Sequence, residues 1–164
     1  MLLPQKLILW IKPNLEMNRS TIALASDHAG FTRKQAIIGY FRSNGIPFED
    51  LGCYSDESCD YPDFGHLIAV AVSEGKYTFG ITFCGSGQGI SITANKHPKI
   101  RSAVCWTPEI ARLARAHNDA NICAIPGRFV SDEEAIQIVT TFLNSSFEGG
   151  RHQRRIDKIP IVHS

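Results

Sequence analysis

The stretch FGITFCGSGQGISITAN, Phe79 to Asn95, runs a buried strand into a helix through a glycine turn with no residue to spare. The apolar run ends on Cys84, glycines stand at 85, 87 and 89, and the helical spacing begins at Gln88. A strand that feeds directly into a helix is the repeating unit of a parallel sheet, because the next parallel strand is reached only by crossing over a face. The same alternation extends in both directions from this segment. Upstream, TIALAS reads as a first strand, Ala29 to Ser43 as a helix closed by Asn44-Gly45, and IPFEDLG as a short second strand. After a polar loop, Tyr54 to Asp60, the residues Phe64, Leu67, Ile68, Ala71 and Val72 recur at helical spacing as far as Gly75.

Downstream, Pro98 ends the helix that leaves the glycine turn, and RSAVCW reads as the fourth strand. Thr107-Pro108-Glu109 is a helix start, with Thr as cap and Pro in the first turn, and Ile110, Leu113 and Ala114 are expected to face the core. NICAIPG is the fifth strand, and Ser131 with Glu134 fits a capping box for a last long helix buried through Ile136, Val139, Phe142 and Leu143. The expected fold class is therefore α/β: one three-layer, doubly wound domain over residues 21–146, with a five-stranded parallel sheet and helices on both faces. Residues 147–164 read as a basic arm hinged on Gly149 and Gly150 that leaves its own domain, and residues 1–20 as an extension, with Met17 a second candidate start.

Composition narrows the partners. The 17 Lys+Arg nearly cancel the 16 Asp+Glu, so no overall field draws the chain to nucleic acid or an anionic membrane, and a bound anion must meet a local cluster. Leu7 to Ile11 is far shorter than the roughly 20 residues of a membrane span. Five cysteines without metal-like pair spacing point to reduced thiols in a cytosol, with no metal and no disulfide framework.

In a doubly wound sheet, ligands sit beyond the carboxyl ends of the strands. Those ends carry Ser26-Asp27-His28-Ala29-Gly30, Cys84 to Gly89, Trp106-Thr107 and Pro126-Gly127-Arg128. The glycine turn can aim backbone N–H groups at one point, although a tight turn also needs glycine merely to pack. Cys84 at its head adds a thiol where N–H groups and a helix start favour the thiolate, and the same groups could hold a substrate oxyanion. Cys105 and Cys123, inside apolar strands, read as core fillers. Asp27 suits either a cap or the site; His28 and His117 lie at polar boundaries expected on the active edge, whereas His66, His97 and His163 read as surface residues. Arg151 and Arg155, four apart, would share one helix face, either gripping a phosphate or standing in solvent, and Arg154 reads as a solvated charge.

Taken in order, SDHAGF, DYPDF, CGSGQGISI, AR-HNDAN and FEGGRHQRR resemble ribose-5-phosphate isomerase type B and its sugar-phosphate isomerase relatives, over about Ile22 to Ile159. The resemblance implies a cofactor-free, metal-free Rossmann-like enzyme of the non-oxidative pentose phosphate pathway, a homodimer with shared active sites, with tetramers as the alternative assembly. It implies Cys84 as base, Gly85, Ser86, Gly87, Gln88 and Gly89 around the enediolate, and Ser86 and Asp27 moving protons between its oxygens. By the same analogy His117 opens the furanose ring, Asn118 holds a sugar hydroxyl, and Tyr61 and His28 line the sugar pocket. Arg128, Arg151, His152 and Arg155 correspond to phosphate contacts, those of the arm coming from the partner subunit. Many members carry Thr where this chain has Ser86, which keeps the hydroxyl and drops a methyl. Hexose 6-phosphate isomerases share the scaffold, and a non-catalytic sugar-phosphate sensor or a cysteine hydrolase would use parts of the same constellation.

Overall fold

A computed structural model of the chain describes residues 22–161. The expected extension at residues 1–20, Met17 and His163 lie outside the described residues. Five strands, β1 (Ile22–Ser26), β2 (Glu49–Asp50), β3 (Phe79–Cys84), β4 (Ser102–Val104) and β5 (Ile122–Pro126), form one all-parallel sheet in the order β2-β1-β3-β5-β4. Six helices accompany them: α1 (Phe31–Ser43), α2 (Tyr61–Ser73), α3 (Gln88–Ala94), α4 (Pro108–Asn118), α5 (Asp132–Asn144) and α6 (Arg151–Ile156).

The alternation along β1 explains the three layers. Ile22 and Leu24 join a core with Ile37 and Phe41 of α1, Ala111 of α4 and Val139 and Phe142 of α5. Ala23 and Ala25 point the other way, against Ile68, Ala69 and Val72 of α2 and Ala94 of α3. Period-two alternation thus sends neighbouring residues to opposite faces, and both faces are covered, which is why the three inner strands β1, β3 and β5 are mainly apolar.

Local signals hold in detail. Thr107 accepts the Ile110 N–H at the start of α4, and Ser131 and Glu134 form the reciprocal capping box of α5. The second strand is shorter than IPFEDLG suggested, because the Ile46 N–H goes to the Phe41 carbonyl at the end of α1 rather than to the sheet. Helix α2 is rotated from the expected stripe: Leu67 is exposed and Gly65 and Ala69 are buried in its place, since small residues let α2 lie close to α3. In α4 the inward face is Ala111, Ala114 and Ala116, while Ile110 and Leu113 are only half-buried.

The basic arm does not leave its own domain. Gly149 and Gly150, both at positive φ, turn the chain so that α6 lies against α4 with His152 and Ile156 buried. Arg151, Arg154 and Arg155 remain exposed on its outer side.

Candidate active site

β1 and β3 are neighbours in space, and their connections leave to opposite faces of the sheet, so a crevice opens beyond their carboxyl ends. A cavity of about 390 Å³ fills it, lined by Asp27, His28, Ala29, Tyr61, Cys84, Gly85, Ser86, Gly89, Arg128 and Phe129. Three strand ends that are remote in sequence therefore converge on one hollow.

Cys84 is the thiol of this hollow. Only 4% of its surface is exposed, and it packs on Ile90 and Ala124, yet the residue lines the cavity and its sulfur accepts the Gly87 N–H at 3.1 Å. Gly87 can turn its amide back onto the sulfur because its φ is +76°, a conformation that side chains resist. The Gln88 N–H points to Ser86 Oγ at 3.3 Å. Gly87 and Gln88 therefore do not line the cavity, and their amides are engaged inside the turn rather than offered to a ligand as the resemblance implied. The N–H groups of Gly85, Ser86 and Gly89, residues that line the cavity, have no acceptor among the described residues and are amides open to an oxyanion. Of the remaining thiols, burial pushes Cys59 up, Cys53 adding to the effect, and burial beside Cys105 pushes Cys123 well above the usual thiol range.

The walls are set from several directions. Asp27, 5% exposed, accepts the Gly30 N–H at 2.9 Å on Oδ1, so it both caps the turn into α1 and borders the cavity. His28 Nδ1 is pinned against the Cys59 backbone, 3.2 Å from its N–H and 3.1 Å from its carbonyl. Tyr61, at the start of α2, lies so flat on Gly89 that a Cβ there would stand 2.7 Å from the ring, which is why the third glycine of the turn bears no side chain. Arg128 leans over Gly85, its Nη1 3.3 Å from where a Cβ would be, and brings a guanidinium to the mouth of the cavity. Ala29 and the 75%-exposed Phe129 were not singled out from sequence; an aromatic directly after the arginine at a strand end was the available signal for Phe129.

His117, Asn118, Arg151, His152 and Arg155 are elsewhere in the chain. A crossover helix runs against the strands, so the last turn of α4 returns to their amino ends. There Arg101, just before β4, donates from Nε to the Asn118 carbonyl at 2.9 Å. The expectation that His117 shares an edge with Cys84 is therefore corrected: within one chain they occupy opposite edges. At this second edge the imidazoles of His117 and His152 are stacked, centroids 4.2 Å apart and planes 9° from parallel. Glu148 Oε2 faces both Nε2 atoms, at 3.7 and 3.6 Å. Burial holds His152 below the usual histidine range, and the nearby His117 and Arg151 lower it further. The three donor atoms lie within 4.8 Å of one another, close enough to share a cation, but nearly parallel rings send their lone pairs side by side rather than to one point. His66 and His97 are not the solitary surface residues expected, for His66 Nδ1 stands 2.7 Å from His97 Nε2.

Residues 22–159 match the family described as Ribose/Galactose Isomerase. Ribose-5-phosphate isomerase B of Escherichia coli is 43% identical over 141 residues, 86% of this chain and 95% of that protein. Among solved structures, a ribose 5-phosphate isomerase from Thermotoga maritima superposes with a TM-score of 0.84 at 48% identity, covering 87% of this chain and 98% of that one. Ribose-5-phosphate isomerase B from Mycoplasma genitalium, solved with bound ribulose-5-phosphate, superposes with a TM-score of 0.80 at 44% identity over 84% of this chain and 92% of that one.

Proposed function

The chain belongs to the ribose/galactose isomerase family, and from that premise we propose that it interconverts ribose 5-phosphate and ribulose 5-phosphate through an enediolate. The observation that carries the chemistry is that Cys84, its sulfur held by the Gly87 amide, lines one cavity together with Gly85, Ser86 and Arg128.

His117 protonates the ring oxygen as the bond from C1 to O4 breaks, and the C1 hydroxyl gives its proton to solvent as the aldehyde forms. The Cys84 thiolate then takes the proton from C2, and the electron pair moves into the carbonyl to leave an oxyanion on O1 beside the Gly85 and Ser86 N–H groups. Ser86 and Asp27 pass the O2 proton to O1. Collapse of the O2 oxyanion to a ketone lets C1 recover the proton from the thiol. Atoms and electrons balance without an added group.

One chain cannot present His117 to Cys84, because the two stand at opposite edges of its sheet. A second copy would supply His117, Asn118, Arg151, His152 and Arg155 as a unit. The apolar side chains left exposed around the cavity and on α2 and α3, namely Phe129, Leu67, Val70 and Ile92, give such a copy a surface to cover. The active species is thus a homodimer with two shared sites, working in a reducing cytosol, where its five cysteines stay free thiols. No helix among the described residues is long and apolar enough to cross a membrane.

The family description names galactose beside ribose, so chain length of the sugar is the point to test. Purified protein offered ribose 5-phosphate, allose 6-phosphate and galactose 6-phosphate should turn over the pentose fastest and place solvent deuterium on carbon. Preference for a hexose would move the assignment within the family, and absence of carbon exchange with every sugar would leave a binding protein.

A further inference from the structure

Glu148 is a carboxylate that the scheme above leaves without a task. Its backbone N–H donates to the Ala116 carbonyl at 3.0 Å, tying the start of the arm to the last turn of α4 immediately beside His117. Its Oε2 then stands 3.7 Å from His117 Nε2 and 3.6 Å from His152 Nε2. His152 is 6% exposed and stacked on His117, so it backs one face of that ring and limits its rotation. Arg112 of α4 and Arg151 and Arg155 of α6 are the cations nearby; Arg112 already has a bidentate partner in Glu109, with bonds of 2.9 and 2.8 Å. Of the two imidazoles facing Glu148, His152 is buried, which leaves the half-exposed His117 as the ring that can both meet the carboxylate and reach a ligand.

We propose that Glu148 is a positioning residue for ring opening: it fixes His117 through Nε2, against the backing of His152, so that Nδ1 is the nitrogen presented to the sugar ring oxygen. The proposal rests on the assignment of His117 as the ring-opening acid. Orienting a catalytic imidazole through its second nitrogen is a recurrent device, because it selects both the tautomer and the direction of the proton.

The ring step can be isolated chemically. Ribulose 5-phosphate has its O5 esterified and cannot close a furanose, so solvent deuterium entering its C1 reports enediolate formation alone. Glu148→Gln keeps the backbone anchor and the shape of the side chain and removes the charge. It should lower kcat for ribose 5-phosphate about tenfold or more while C1 exchange stays within about twofold of the native rate. Glu148→Asp, which keeps the charge, should recover part of the loss and gives the same readout if the Gln variant folds poorly. Equal losses in both assays, or native values in both, would overturn the role of Glu148. His117→Ala serves as the separate control: if it keeps native kcat for ribose 5-phosphate, the assignment of His117 itself fails, whereas a split in His117→Ala without one in Glu148→Gln refutes only the positioning role.

Discussion

The two edges of the sheet differ in what they can do alone. The carboxyl edge holds a cavity with a thiol, free amides, a guanidinium and one imidazole, His28, whose Nδ1 is taken up by the Cys59 backbone. The amino edge holds stacked imidazoles, a carboxylate and exposed arginines. In the proposed scheme one half carries out carbon chemistry and the other, supplied by a second copy, prepares and grips the substrate. On that scheme a dimer is the smallest catalytic unit, and the experiments below ask whether the halves separate in this way.

The largest effect should come from the carboxyl edge. Cys84→Ala removes the base and should lower kcat by roughly 10² to 10⁴ with little change in ligand affinity or folding, since the side chain stays small in a wall of Ile90 and Ala124. Near-native turnover would remove the sulfur from the mechanism. Arginines at the amino edge should behave differently: Arg151→Ala or Arg155→Ala should raise KM about tenfold through a lost charge-assisted contact, leave kcat closer to native, and flatten the salt dependence of KM. A loss confined to kcat would contradict a phosphate grip.

The smallest effect concerns pH. His152 binds a proton less readily in the folded chain than in the unfolded one, so the stability it contributes is present above the ordinary histidine range, near about 6.5, and is lost as pH falls below it. Amide hydrogen exchange in α6 should therefore quicken at pH 5.5 relative to pH 7.5 while β1 and β3 stay protected. His152→Phe, which keeps the stacking and cannot be protonated, should abolish that difference, and its persistence would locate the pH sensitivity in another group.

Much of the carboxyl edge was legible in the sequence, because strand ends in a parallel sheet must face one way and glycines at 85, 87 and 89 mark where backbone, sulfur and Tyr61 come close. Phe129 escaped notice since an exposed aromatic carries no periodic signal. The amino edge was harder. Placing His117 beside Cys84 overlooked that α4 must run against the strands, a constraint already present once β4 and β5 are recognised as parallel. Reading the arm as detached gave weight to the two glycines and none to His152 and Ile156, whose spacing of four residues is that of a docked helix face. Glu148 was hard to find by pattern, because it stands in the loop before α6 and one of its two partners, His117, lies on a helix remote in sequence. The Leu67 assignment failed for a related reason: a stripe at helical spacing does not say which side a neighbouring helix will occupy.

The most direct test of a site built from two chains is to mix Cys84→Ala with His117→Ala, each expected to be strongly impaired alone with ribose 5-phosphate, under conditions that let subunits exchange. Random pairing puts both mutations in one site of each mixed dimer and leaves the other site native, so activity should return to about a quarter of the native value. Mixtures that stay as inactive as their components after exchange is verified would mean that Cys84 and His117 serve the same substrate from one chain, or not at all.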